Sequence, residues 1–137
     1  MTQYAVLIYG DESAFTDMSP EAWAAMMDAH NAFGAAVAEQ GGTIVGGEAL
    51  APSATATSVR VGGAVTDGPF VETKELVAGY TIINVKSRQE AIEWTKRFPN
   101  PAVDGKEGEI DVRQFFELED FGPSEAVDRF RTMGMGT

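Results

Sequence analysis

Apolar positions in this chain follow two rhythms. One is continuous or alternating and marks strands; the other recurs every three to four residues and marks helices. Residues 4–9 form an unbroken apolar run ended by Gly10-Asp11, which predicts a strand covered on both faces. After a loop over 11–18, Ser19-Pro20-Glu21 opens a helix. The serine hydroxyl can accept an early amide proton, proline fits the first turn, and the glutamate meets the positive end of the dipole. Trp23, Met26, Met27, His30, Phe33, Gly34 and Val37 then recur at helical spacing as one stripe assigned to the core. Gly41-Gly42 stops the helix through a positive φ.

Residues 43–50 read as a second strand, interrupted by Gly46-Gly47, where a bulge or a close backbone approach is expected. A small-residue loop over 51–56 leads to an alternating strand at 57–61 and a hairpin turn at Gly62-Gly63. Residues 76–85 are rich in β-branched and aromatic side chains and read as the central strand. Ser87 and Glu90 have capping-box spacing, and the helix they open turns Ala91, Ile92, Thr95 and Phe98 inward before Pro99 and Pro101 end it. Residues 109–118 alternate again: Ile110, Val112, Gln114 and Phe116 on one side, Asp111, Arg113, Phe115 and Glu117 on the other. Beyond 119, one short helix capped at Ser124 carries Ala126, Val127 and Phe130 on one side, and fraying is expected after Met133.

The order strand, helix, several strands, helix, strand describes an α+β ferredoxin-like sandwich, an antiparallel sheet with two helices on one face. It predicts one domain over 1–118 and a tail over 119–137. The first and central strands are apolar on both faces, so the bare side of the sheet needs a cover, and a second copy is the simplest one.

The stretch Thr66-Asp67-Gly68-Pro69-Phe70-Val71-Glu72-Thr73-Lys74-Glu75 stands out from these elements. Asp-Gly-Pro breaks any strand, because glycine supplies positive φ and proline removes a donor. Phe70 is expected to pin the turn as an apolar anchor and hold the neighbouring carboxylates in place.

Charge and composition narrow the function. The chain has 10 basic and 21 acidic residues, a net charge of −11, which argues against nucleic acid or an anionic membrane as the main partner. The chain has no cysteine, which excludes disulfides, thiolate catalysis and thiolate-bound zinc and fits a cytoplasmic protein. No basic leader precedes the first apolar run, and no segment has the length of a membrane span, so a soluble protein is expected. With one histidine, a dedicated transition-metal site is not expected, although carboxylates could hold a hard cation. Phosphate-loop, dinucleotide and nucleophile-elbow motifs are absent, so no cofactor is expected.

Leu7-Ile8-Tyr9-Gly10-Asp11-Glu12, Gly46-Gly47-Glu48-Ala49-Leu50 and above all Thr66-Asp67-Gly68-Pro69-Phe70 resemble the YCII-related family, in the branch named for its Asp-Gly-Pro-Phe motif. The resemblance implies a dimeric α/β barrel, two ferredoxin-like sheets face to face with a cleft in each protomer. It also implies a helix histidine, which His30 matches, and an acidic residue after the first strand, which Asp11 matches. Genes of this branch often neighbour those of extracytoplasmic-function sigma factors, which implies a regulatory role as a rival to chemistry.

His30 is the centre of the chemical reading. Imidazole titrates near neutrality, and a carboxylate partner, Asp11 or Asp67, would fix its tautomer and make it a general acid or base on a small organic molecule. The competing reading is a core histidine satisfied by one hydrogen bond. Glu48, Phe70, Glu72 and Lys74 are the candidate ligand contacts. Plainer alternatives are a bulge at Glu48, a self-bonded turn at Asp67, and a solvated ion-pair cluster at Glu72, Lys74 and Glu75.

Overall fold

A computed structural model describes residues 1–10, 12, 16–70, 76–100 and 108–135. Four strands form one antiparallel sheet: β1 (Thr2–Gly10), β2 (Thr43–Ala49), β5 (Leu76–Val85) and β6 (Glu109–Gln114), in the order β2-β5-β1-β6. Between β2 and β5, β3 (Thr57–Val59) and β4 (Val65–Asp67) pair as a separate two-stranded hairpin. The helices are α1 (Pro20–Glu39), α2 (Arg88–Lys96) and α3 (Glu125–Thr132). The sheet order, with α1 and α2 between its strands in sequence, is that of a ferredoxin-like α+β sandwich.

Local chemistry sets the helix ends. Ser19 accepts the Ala22 amide at 3.1 Å, and Ser87 accepts that of Glu90 at 3.1 Å. The Glu90 carboxylate reaches back one residue further than a capping box requires, to the Lys86 amide at 2.9 Å. At the end of α1, Gly41 sits at φ 85°, and its amide and that of Gly42 bond the Ala38 and Val37 carbonyls. These are the two bonds of a Schellman stop. The glycine pair in β2 does mark a bulge: the register against β5 slips between Ile44 and Gly46.

The core lies between the sheet and α1 and α2. Tyr4, Val6, Ile83 and Val85 rise from the sheet to meet Phe33 and Val37 of α1 and Ala91, Trp94 and Phe98 of or beside α2. The rings of Phe33, Trp94 and Phe98 meet edge to face across the two helices. On the other side of the sheet, strand alternation puts Ala5, Leu7 and Tyr9 of β1 beside Ile82 and Tyr80 of β5. Among the described residues, the core formed with α1 and α2 lies on the opposite side.

Four expectations are corrected. Trp23 and Met27 are 40% and 57% exposed rather than core. The reason is length: α1 has 20 residues, about 30 Å, against nine in α2, about 14 Å, so the first turns of α1 overhang. Trp94, absent from the expected inward set of α2, is buried while Ile92 is only partly so. The last strand stops at Gln114, because the chain turns into a short 3-10 segment at Leu118–Phe121, and Phe116 is exposed. The end of α3 is not frayed through Met135, since Gly134 at φ 73° and the Met135 amide make a second Schellman stop.

Candidate functional site

β1 leaves the sheet at Gly10, β2 leaves at Ala49 opposite Gly79, and β5 enters at Leu76 opposite Gly10. The described parts of the loops after β1 and β2, the β3–β4 hairpin and the start of β5 therefore share one end of the sheet. α1 begins at that end, and Phe98, beyond the end of α2, lies towards it. The sequence motifs converge there by topology.

His30 is partly buried on α1, with its ring 5.3 Å from Phe98 in edge-to-face contact. Its Nδ1 lies 2.7 Å from the Met26 carbonyl oxygen, one helical turn earlier. A carbonyl can only accept, so Nδ1 carries the proton and the Nε2 lone pair of the neutral ring is left for another group. The bond that orients the imidazole thus comes from its own helix. Asp67 is exposed at the end of β4, opposite Thr57 in the hairpin, and makes no hydrogen bond to His30. Asp11, Glu72 and Lys74 lie outside the described residues.

Phe70 does not anchor the turn. Its side chain is 86% exposed, and the turn is held by backbone instead. Gly68, at φ 96°, donates its amide to Ala56 O at 2.7 Å, and its carbonyl accepts the Ser58 hydroxyl at 2.7 Å. The Asp-Gly-Pro pattern dictates the turn, and a serine ten residues earlier fastens it.

Glu48 and His30 lie on opposite sides of the sheet. Glu48 pairs with Tyr80, and alternation places both on the helix-free face. Tyr80 pairs with Leu7 and Leu7 with Asp111, so Glu48, Tyr80, Leu7 and Asp111 form one row across that face. Tyr9 joins the row diagonally: its hydroxyl donates to Asp111 Oδ2 at 3.0 Å. That hydrogen bond, foremost, holds the Tyr9 phenol above its ordinary pKa, with desolvation and the Asp111 charge adding to it.

Two further contacts join residues far apart in the chain. The Tyr9–Asp111 pair depends on strand register, which alternation alone does not set. Glu12 grips Ser53 with both carboxylate oxygens, one on the amide at 2.6 Å and one on the hydroxyl at 2.7 Å. This clasp ties the loop after β1 to the one after β2. Among the described residues no cluster of three or more histidine, aspartate or glutamate side chains could hold a metal ion. No helix among them is long and apolar enough to cross a membrane.

Comparison with known proteins agrees with this architecture. The sequence matches the YCII-related domain over residues 2–118. The chain belongs to the YCII-related family. An uncharacterised protein of Rhizobium meliloti (strain 1021) is 33% identical over 102 residues, which cover 71% of this chain and 80% of that protein. The matched region of this YCII-related protein takes in the four-stranded sheet and both core helices; the helix α3 lies beyond it.

Proposed function

We propose that this YCII-related protein, of the Asp-Gly-Pro-Phe branch, is a cytoplasmic homodimer that binds a small organic molecule at the loop end of the sheet. His30 exchanges a proton with the ligand there, in an isomerase- or lyase-like step. The observation that carries this reading is the 2.7 Å contact between His30 Nδ1 and Met26 O, which fixes the ring and leaves Nε2 as the base. Its partial burial beside Phe98 restricts water around the ring without sealing it off. Asp11 and Asp67 are the carboxylates that would complete the pair when a ligand draws the loops together, with Phe70, Glu72 and Lys74 contacting the ligand. Glu48, on the other face of the sheet, would act at the subunit junction.

The test is an NMR titration of His30, the chain's single histidine. We expect the Nδ1–H tautomer in the neutral ring and ring signals whose response to added ligand is altered by Asp11→Asn or Asp67→Asn. We also expect His30→Gln to lose ligand binding or turnover. A titration insensitive to both aspartates, with binding unchanged in His30→Gln, would return His30 to a structural role.

A second reading is a regulatory module that contacts an extracytoplasmic-function sigma factor. Exposed apolar side chains on the hairpin, Val59, Val61 and Val65, favour a protein partner. Gene neighbourhood separates the two readings: a sigma factor gene alongside favours regulation, a catabolic cluster favours chemistry.

A further inference from the structure

The four-stranded sheet has two outer edges, and they differ. At β2 the edge is broken by the bulge between Ile44 and Gly46, a device that keeps other strands from pairing. At β6 the ladder to β1 keeps one register from Glu109 to Gln114, and the strand holds neither proline nor lysine. Phe115 donates its amide to the Gln3 carbonyl at 3.1 Å, which sets the phase of the strand. Glu109, Asp111 and Arg113 therefore turn their backbone groups towards β1, and Ile110, Val112 and Gln114 turn theirs outward. Among the described residues none of these outward groups has a hydrogen-bond partner. An open, regular edge of this kind is a template for another strand.

Charge selects the strand that fits. On the helix-free side this edge carries an acid, Asp111, and a base, Arg113, at alternate positions of β6. Tyr9 occupies only Oδ2 of Asp111, and Arg113 forms no ion pair among the described residues. An antiparallel copy about a two-fold axis at Val112 sets Asp111 opposite Arg113 of the partner subunit, and the reverse. In that register Val112 faces Val112 of the partner subunit, and Ile110 faces the partner's Gln114. Each of these pairs brings outward backbone groups together from both sides, so the phase of the strand and the pattern of charge agree. The acid–base pairs fall at the non-hydrogen-bonded positions, where opposed side chains come closest. Neighbouring registers fail on charge. An axis at Asp111 or Arg113 sets that residue against its own copy, and one at Ile110 sets Asp111 against Glu109 of the partner subunit.

We propose that the β6 edge is a self-association surface. Two copies pair their β6 strands antiparallel about an axis at Val112, and their sheets join into one. This contact is made by backbone along an edge, whereas the helix-free face offers side chains. The two can coexist, and together they build an assembly larger than a dimer. A foreign strand would need the same order of acid and base by coincidence; a second copy supplies it by symmetry.

Substitutions in the full chain test this at exposed positions of β6. Gln114→Pro deletes an amide that bonds nothing within the protomer and sets a ring on the outer edge, where proline is tolerated. Asp111→Arg and Arg113→Glu each bring like charges face to face. We expect each single change to weaken association about ten-fold in sedimentation experiments, and Asp111→Arg with Arg113→Glu together to restore it. Hydrogen exchange locates the contact. The amides of Ile110 and Val112 should slow as protein concentration rises, and Gln114→Pro should return that of Ile110 to fast exchange. Outward amides that exchange fast at every concentration would overturn the proposal, and a dimer held by the helix-free face alone gives that result. Association indifferent to both single reversals would overturn it too. So would protection that survives Arg113→Glu, which would assign the edge to a different strand.

Discussion

Tyr9 ends the apolar run of β1 with a hydroxyl that donates to Asp111 at 3.0 Å, and this bond favours the neutral phenol. Because the folded pKa is raised, the bond's contribution to stability is complete below the ordinary phenol range and is lost as pH rises through the raised value. Titration of Tyr9 is expected to find its phenol ionising late, and Asp111→Asn is expected to bring it back towards the ordinary phenol value. No drop in Asp111→Asn would mean that another group holds the proton. Single residues were unevenly legible in the sequence. His30 drew attention as the sole imidazole on an apolar stripe, and its bond to Met26 follows from helical spacing of four. The Tyr9–Asp111 and Glu12–Ser53 contacts join residues 102 and 41 positions apart, and no local pattern encodes them. Phe70 was misread because an aromatic in a turn has no obligation to point inward when backbone bonds already close the turn.

Elements were more legible than contacts, since caps and stops are local chemistry. Serine before each helix, the paired glycines after α1 and the glycine pair in β2 all act where the sequence places them. Gly42 adds a packing demand to its place in the Schellman stop. A Cβ there would lie 2.9 Å from Val37 Cγ1 and 3.2 Å from Val85 Cγ1, both fully buried. Gly42→Ala is therefore expected to destabilise by about 1–3 kcal/mol, read as a lower urea midpoint at unchanged slope. Gly46→Ala, with open space around its Cβ, is the control expected to cost less. Where element reading failed, tertiary geometry was the cause. A helical stripe is continuous in sequence, but α1 outruns its partner helix, and the residues past the overhang stay wet. The last strand likewise alternates beyond its ladder, and a pattern cannot say where pairing ends.

For the molecule as a whole, strand and helix order were enough to anticipate the sheet β2-β5-β1-β6 and its two-layer core. The helix-free face follows from the same order. Leu7, Tyr80 and Ile82 near its middle, between the charged edges at Glu48 and Asp111, form the surface proposed to meet a second copy. Light scattering at micromolar concentration is expected to give at least a dimer. Leu7→Glu, which puts a carboxylate at the centre of that face, is expected to lower that mass towards the monomer. A monomeric mass for the unaltered chain would refute this contact.

The grip of Glu12 on Ser53 joins two loops through atoms rather than through chain. An amide held by a carboxylate exchanges with deuterium only when the grip opens, and opening it separates the ends of two different strands. Ser53 should therefore exchange more slowly than Ala54 and Ala51 around it, in an otherwise exposed loop. Glu12→Ala should bring its rate up to theirs. If it does, the two loops open together as a hinged pair; matching rates in the unaltered chain would mean that each loop breathes alone.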